Sequence, residues 1–221
     1  MKKHIILIFS IFSFYSLLGC NAVNTDEKEK VVTITENQIQ KEGLKKTYFA
    51  SGCFWCVEAV FESVKGVKEA VSGYSGGEKA NPTYREISSG MLRHAEAVAV
   101  IYDPRKVDFE TLVKVFFGSH DPTTLNQQGP DIGPQYRSIA FHTDDSEKEI
   151  IRNYINKLSE SNEYSSPIVT EVKEFEKFWI AEEYHQDYER LNPDNPYVRS
   201  VSVPRLNRFK KKFPELLKEN H

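Results

Sequence analysis

Ser51-Gly52-Cys53-Phe54-Trp55-Cys56-Val57-Glu58 joins two stretches of opposite periodicity. Before it, Thr47-Tyr48-Phe49-Ala50 is a β-prone run ended by Ser51-Gly52. After it, Val57, Val60, Phe61 and Val64 recur at helical spacing, and Lys65-Gly66 supplies a basic last turn and a glycine stop. A strand therefore hands over to a helix at Cys53. At the first turn of that helix, unpaired N–H groups and the helix dipole favour a thiolate, so a lowered pKa is expected for Cys53. Three readings of Cys53 and Cys56 compete. A structural disulfide across so short a loop stabilises little. A zinc half-site needs two more ligands, and no second cysteine pair exists. The third is a redox pair.

Outward from this stretch, Val67 to Tyr74 reads as a second strand. The loop Gly73-Tyr74-Ser75-Gly76-Gly77 lacks a following Gly-Lys-Ser/Thr and is a turn, not a phosphate cradle. Asn81-Pro82-Thr83-Tyr84 opens a short segment ending near Gly90, and Ala95 to Tyr102 is the clearest strand. Phe109, Leu112, Val113, Phe116 and Phe117 mark an amphipathic helix. Ser119 to Gln135 is a long polar loop of the kind that forms a functional wall. Ser138 to His142 is a strand, Asp144-Asp145-Ser146 starts a helix, and Ile168 to Val172 is a short strand. Ala181 to Leu191 is helix-like, and the basic end around Leu206, Phe209 and Phe213 reads as a solvated helix face. The order β-α-β-β-α-β from Thr47 to His142 predicts an α+β ferredoxin-like split βαβ sandwich, with a helix, a strand and a C-terminal segment added, as one domain over residues 46–221.

The N-terminus stands apart. Met1-Lys2-Lys3-His4 is basic, and Ile5 to Leu18 is apolar or small and too short to span comfortably, as in a secretory signal. Leu17-Leu18-Gly19-Cys20 resembles the lipobox of bacterial lipoprotein signal peptides, which implies removal of residues 1–19 and lipidation of Cys20. Residues 20–45 then form a polar tether, with only Val31, Val32 and Ile34 able to form a short strand. The expectation is an exported bacterial lipoprotein on the extracytoplasmic face of a membrane. Loss of Lys2 and Lys3 would take the formal charge from −3 to −5, and no basic excess points to nucleic acid. Of the three cysteines, Cys53 and Cys56 remain as a pair. In an oxidising compartment their thiols would need a dedicated reductant.

Reduction of an oxidised sulfur needs a thiolate, an acid for the departing oxygen, donors to hold it and an apolar wall. Glu96 shares a strand face with Val98 and Val100, where a carboxyl is hard to ionise; the alternative is a surface pair with Arg93. Tyr84 and Tyr136 offer hydroxyls or are ordinary half-buried tyrosines. Asp131 is a site residue or a turn aspartate. Phe54 and Trp55 are an apolar wall or core packing.

These residues sit within a longer series: His94-Ala95-Glu96-Ala97-Val98, Tyr102-Asp103-Pro104, His120-Asp121-Pro122-Thr123-Thr124, Asp131-Ile132-Gly133-Pro134-Gln135-Tyr136-Arg137-Ser138 and Ala181-Glu182-Glu183-Tyr184-His185-Gln186. With the first motif and the segments at Gly73 and Asn81, the series resembles the A class of peptide methionine sulfoxide reductases over about residues 46–213. The resemblance implies that Cys53 attacks the sulfur of methionine-S-sulfoxide while Glu96 protonates its oxygen. Tyr84 and Tyr136 would bind that oxygen, Asp131 would shape the site, and Phe54 and Trp55 would hold the methyl group. It implies a Cys53 sulfenic acid resolved by Cys56, because the tail lacks the C-terminal cysteine of many members. It further implies no bound cofactor or metal, a thioredoxin-like protein or dithiol as reductant, oxidised proteins as partners, and a monomer. Met91-Leu92-Arg93 departs from the small residues usual before His94. The competing readings are a thioredoxin-like thiol–disulfide exchanger and a non-catalytic anchored binding protein.

Overall fold

In the computed structural model, which describes residues 34–219, the chain turns helical before the first expected strand. Helix α1 (Glu36–Glu42) opens with a capping box, in which Thr35 accepts from the Gln38 N–H and Gln38 reaches back to the Thr35 N–H. Gly43 closes it at φ 65°. Ile39 and Leu44 pack with Ile101, so this part of the polar segment read as tether is a surface helix with one apolar contact. The signal segment and Cys20 lie outside the described residues.

The chain then runs through β1 (Lys45–Ser51), α2 (Phe54–Glu62), β2 (Val67–Ser75), α3 (Tyr84–Ser88), β3 (Ala95–Tyr102) and α4 (Phe109–Gly118). A small hairpin, β4 (Gln127–Gln128) and β5 (Asp131–Ile132), precedes β6 (Ser138–His142) and α5 (Asp145–Glu160). The tail adds β7 (Glu171–Glu174), β8 (Phe178–Ile180), α6 (Tyr188–Leu191) and α7 (Val203–Lys212). The main sheet has the order β7-β6-β1-β3-β2-β8. Its four inner strands are antiparallel and interleaved as the split βαβ pattern requires. β8 extends one edge antiparallel to β2, and β7 extends the other parallel to β6. The expected α+β sandwich is the observed fold.

The register explains the composition of β3, which is buried along its whole length. Phe49, Val98 and Val100 pack with Val57, Val60 and Phe61 of α2 and Leu112, Val113 and Phe116 of α4. The opposite face is built from Ala50, Ala95, Ala97, Ile139 and Phe141. Phe49 stacks on Phe61 at 5.1 Å and on Phe116 at 5.0 Å, placing its ring at the centre of the helix-side core. Truncating such a ring costs roughly 3–5 kcal/mol.

The tail departs from expectation. Ala181 to Leu191 is not one helix: a 3-10 turn at Glu183–His185 gives way to extended backbone at Gln186 and a left-handed Asp187, φ 52°. Tertiary bonds override helix propensity here. The Gln186 side chain accepts from the Ser72 N–H at 2.9 Å and donates to the Ser72 carbonyl at 3.0 Å, and the Asp187 N–H donates to Glu58. β8 reaches β2 so closely that a Cβ at Gly73 would lie 2.4 Å from the Trp179 carbonyl oxygen. The basic end is also more than a solvated face. Arg205, Phe209 and Phe213 are buried, and the tail returns to the segment after α2, where the Lys65 N–H donates to Leu216 O at 2.8 Å.

Candidate active site

β1 delivers the chain to α2 through Gly52, whose φ is 87° and where a Cβ would lie 2.6 Å from Gln128 Cβ. Only glycine fits this turn without displacing the hairpin loop. Cys53 is the N-cap of α2 and makes no side-chain capping bond. Both Cys53 and Cys56 are free thiols and buried. Burial decides the titration of Cys53: desolvation, the hydrogen bond to Cys56 and the Glu96 charge push its thiol well above the ordinary range. The lowered pKa expected from the helix terminus is therefore corrected, because at 6% exposure desolvation outweighs the dipole. Cys56 moves the other way. The hydrogen bond with Cys53, and then the Arg205 charge, lower it against its own desolvation.

Glu96 lies on the helix-side face of β3, and its Oε2 accepts the Phe54 N–H at 3.0 Å. It is 1% exposed, and burial raises its pKa to about 8, with smaller contributions from Asp131 and Cys56 against the Phe54 bond. It does not pair with Arg93, whose carbonyl instead accepts from Arg137. A carboxyl that keeps its proton near neutrality thus sits beside the residue that follows Cys53.

Tyr84 opens α3 behind a capping box at Thr83, and its N–H donates to Glu182 at 2.9 Å. Tyr136 ends a 3-10 turn over Pro134–Tyr136. Burial and then the charge of Glu96 raise both phenols, Tyr84 to about 12, and both also feel Cys53 and Asp131. Asp131 is more than a turn residue. Its Oδ2 accepts the Tyr197 O–H at 2.6 Å, and the same phenol oxygen stands 3.8 Å from Cys56 Sγ. Phe54 is fully buried, with ring centroids 5.0 Å from His185 and 6.4 Å from Tyr84. Trp55 stacks on Tyr188 at 3.7 Å and donates from Nε1 to His185 Nδ1 at 3.2 Å. The structure thus brings Cys53, Cys56, Glu96, Tyr84, Tyr136, Asp131, Phe54 and Trp55 to one place.

The peptide methionine sulfoxide reductase family model matches residues 45–217. Peptide methionine sulfoxide reductase MsrA 1 of Rhodopirellula baltica is 49% identical over 80% of this chain and 92% of its own length. MsrA 2 of Synechocystis is 43% identical over 86% of this chain and 89% of its own length. Among solved structures, methionine sulfoxide reductase A of Corynebacterium diphtheriae superposes with a TM-score of 0.63 at 34% identity, covering 69% of this chain and 77% of that one. Mxr1 from Saccharomyces cerevisiae in reduced form also gives 0.63, at 31% identity, covering 69% and 87%. The chain belongs to the peptide methionine sulfoxide reductase family.

It is a reductase of the A class, and its site holds three residues that local sequence reasoning assigns no role. His185 is buried and held neutral, its pKa lowered to about 4 by desolvation. Because Nδ1 accepts from Trp55, the proton sits on Nε2, which is buried and has no partner among the described residues. The motif Glu183-Tyr184-His185 was the available signal. Tyr197 and Arg205 enter from the tail, where nothing in local spacing marks them. Elsewhere in the reductase, Glu58, Glu62 and Asp187 bring carboxylate oxygens within 4.8 Å of one another. Glu58 there accepts from the Ser72 hydroxyl and the Asp187 N–H, and burial raises Glu62 to about 7. Glu58 is thus internally bonded and burial raises both it and Glu62, unlike a set of open metal ligands.

Proposed function

We propose that this reductase turns methionine-S-sulfoxide into methionine by nucleophilic attack of Cys53 on the sulfoxide sulfur. Phe54 and Trp55 hold the methyl group, Asp131 shapes the site, and Tyr84 and Tyr136 hydrogen-bond the oxygen. Glu96 protonates that oxygen as it takes on charge, and the thiol's own proton restores the carboxyl. One thiol and one sulfoxide thereby become one sulfenic acid and one thioether. Cys56 then displaces the hydroxyl as water, and a thioredoxin-like protein or a small dithiol reduces the Cys53–Cys56 disulfide. The observation that carries this reading is the buried Glu96 carboxyl, raised by desolvation, that accepts the N–H of Phe54, the residue after Cys53.

Oxidised proteins are the proposed substrates, with free methionine sulfoxide as a second class. The test separates sulfoxide epimers and catalytic stages. Wild-type enzyme with dithiol should consume only the S epimer. Cys56→Ser should release about one methionine per chain without reductant and fail to recycle with thioredoxin. Equal use of both epimers, or normal thioredoxin-driven turnover by Cys56→Ser, would sink the scheme. A thiol–disulfide exchanger would instead reduce insulin disulfides without sulfoxide turnover.

We also propose an extracytoplasmic lipoprotein anchored through Cys20 after removal of residues 1–19, on the strength of Leu17-Leu18-Gly19-Cys20 alone. No helix among the described residues is long and apolar enough to cross a membrane. Cys20→Ala should abolish incorporation of labelled fatty acid; persistence of the label would refute the assignment.

A further inference from the structure

The turn that presents Tyr136 is short and starts from a hinge. Gly133 enters it at φ 145°, a conformation that suits glycine, and its N–H is held by Asn126 O at 2.9 Å. The turn over Pro134–Tyr136 closes with the Tyr136 N–H on Gly133 O at 3.0 Å, but the Arg137 N–H reaches Pro134 O only at 3.4 Å. Between this hinge and the start of β6 at Ser138, the further grip comes from the Arg137 side chain.

Its guanidinium donates in three directions. Nη1 gives to Pro134 O at 2.9 Å, inside the turn itself. Nη2 gives to Arg93 O at 2.9 Å, 44 residues away, and Nε to Glu171 Oε1 at 2.9 Å, 34 residues away. Glu171 opens β7, the outer strand that pairs with β6. Arg93 lies just ahead of β3, three residues before Glu96. Gly76 packs against the fork, since a Cβ there would stand 3.2 Å from Nη2. One planar cation thus ties the sheet edge to the turn of Tyr136 and to the entry of the strand that carries Glu96.

An exposed ion pair contributes little and orders little. Arg137 is different: its side chain is 12% exposed, and two of its three bonds go to backbone carbonyls. With Arg93, Pro134 and Glu171 it lines a cleft whose walls include none of Cys53, Glu96, Tyr84 or Tyr136. Its route to the chemistry therefore runs through the turn.

We propose that Arg137 is a positioning residue for Tyr136: its fork sets the phenol where it can donate to the sulfoxide oxygen. The inference rests on reading Tyr136 as an oxygen donor. Lysine in its place keeps the charge toward Glu171, but a single ammonium cannot meet three acceptors spread around a fork. The shape of the cation, more than its charge, is what the turn requires.

The test is a double-mutant cycle on the full-length protein: wild type, Arg137→Gln, Arg137→Lys, Tyr136→Phe and the two double variants. The first-step rate is read as methionine release in a rapid-quench single turnover with a methionine-S-sulfoxide peptide. It should fall roughly 10-fold in Arg137→Gln and nearly as far in Arg137→Lys. In the Tyr136→Phe background the same changes should cost less than about 2-fold, because the donor they serve is already gone. A second readout follows the ring itself. 3-Fluorotyrosine placed at position 136 should shift or broaden its fluorine resonance in Arg137→Gln, while the same probe at Tyr102, at the end of β3 remote from Glu96, stays unchanged. Equal costs in both backgrounds, or an unmoved resonance at 136, would overturn the proposal and leave Arg137 as a stabilising tie. If Arg137→Gln fails to fold, Arg137→Lys carries both measurements. Failure of the underlying reading shows separately, as a normal first step in Tyr136→Phe, and the fluorine resonance then still decides whether Arg137 holds the ring.

Discussion

Cys53 and Cys56 lie one helical turn apart, yet their sulfurs occupy opposite electrostatic surroundings. Toward the sheet, Cys53 meets the buried Glu96 carboxyl and the phenols Tyr84 and Tyr136. Cys56 faces the tail: Arg205, Ser202 and Tyr197. The first environment raises a thiol and the second lowers one. Proximity in sequence therefore sets the reach between the sulfurs, and the hydrogen bond between them, with burial, does most to part their titrations. The sheet side suits delivery of a proton to oxygen.

The comparison is most exposed at Cys53→Ser, which should reduce sulfoxide turnover to background by removing the reacting sulfur; retained turnover, read as methionine by chromatography, would refute the division at once. Next comes Glu96→Gln, expected to slow the first step by about 10²- to 10⁴-fold in a single turnover. In the wild type that step should lose rate as pH rises through about 8, where Glu96 gives up its proton. The same group has a stability signature. Its carboxyl titrates near 4.5 when unfolded and about 8 when folded, so between those values the folded chain binds more protons and stability falls as pH rises. Glu96→Gln should flatten that slope in thermal unfolding; an unchanged slope would mean that Glu96 is ionised in the fold.

Smaller effects should follow at the phenols. Tyr84→Phe and Tyr136→Phe are each expected to cost about 10-fold in the first step through one lost donor, with disulfide formation less affected. The smallest catalytic signal, but a clear structural one, is expected at Gly52→Ala. Strain at φ 87° and the contact with Gln128 should destabilise the fold by roughly 1–3 kcal/mol in a denaturant titration.

Much of the sheet side was legible in the sequence because its signals are local. Alternation along Ala95–Tyr102 placed Glu96 among apolar residues, the helical spacing after Cys53 located α2, and capping residues marked helix starts at Thr83 and Asp144. The tail side was not legible. Arg205 meets Ser51 across 154 residues, and Tyr197 meets Asp131 across 66, so no window along the chain contains either contact. The helical pattern of Ala181–Leu191 misled for the same reason, since its backbone follows bonds to Ser72 and Glu58. The direction of the Cys53 shift was missed because burial depends on distant segments, whereas a helix terminus can be read locally. The fold class came from short-range order, the roles of Tyr84, Tyr136 and Asp131 came with the family resemblance, and the contacts of Tyr197 and Arg205 required the complete structure.

The anchoring of Arg205 to Ser51 and of Leu216 to Lys65 bears on how the protein is made. Synthesis runs from the N-terminus, so both cysteines and Glu96 emerge well before the segment that flanks Cys56. A chain ending before α7 would carry Cys53, Cys56 and Glu96 but lack Arg205 and the bond between Leu216 and Lys65. The packing around both cysteines is thereby completed only once the segment carrying α7 has been made.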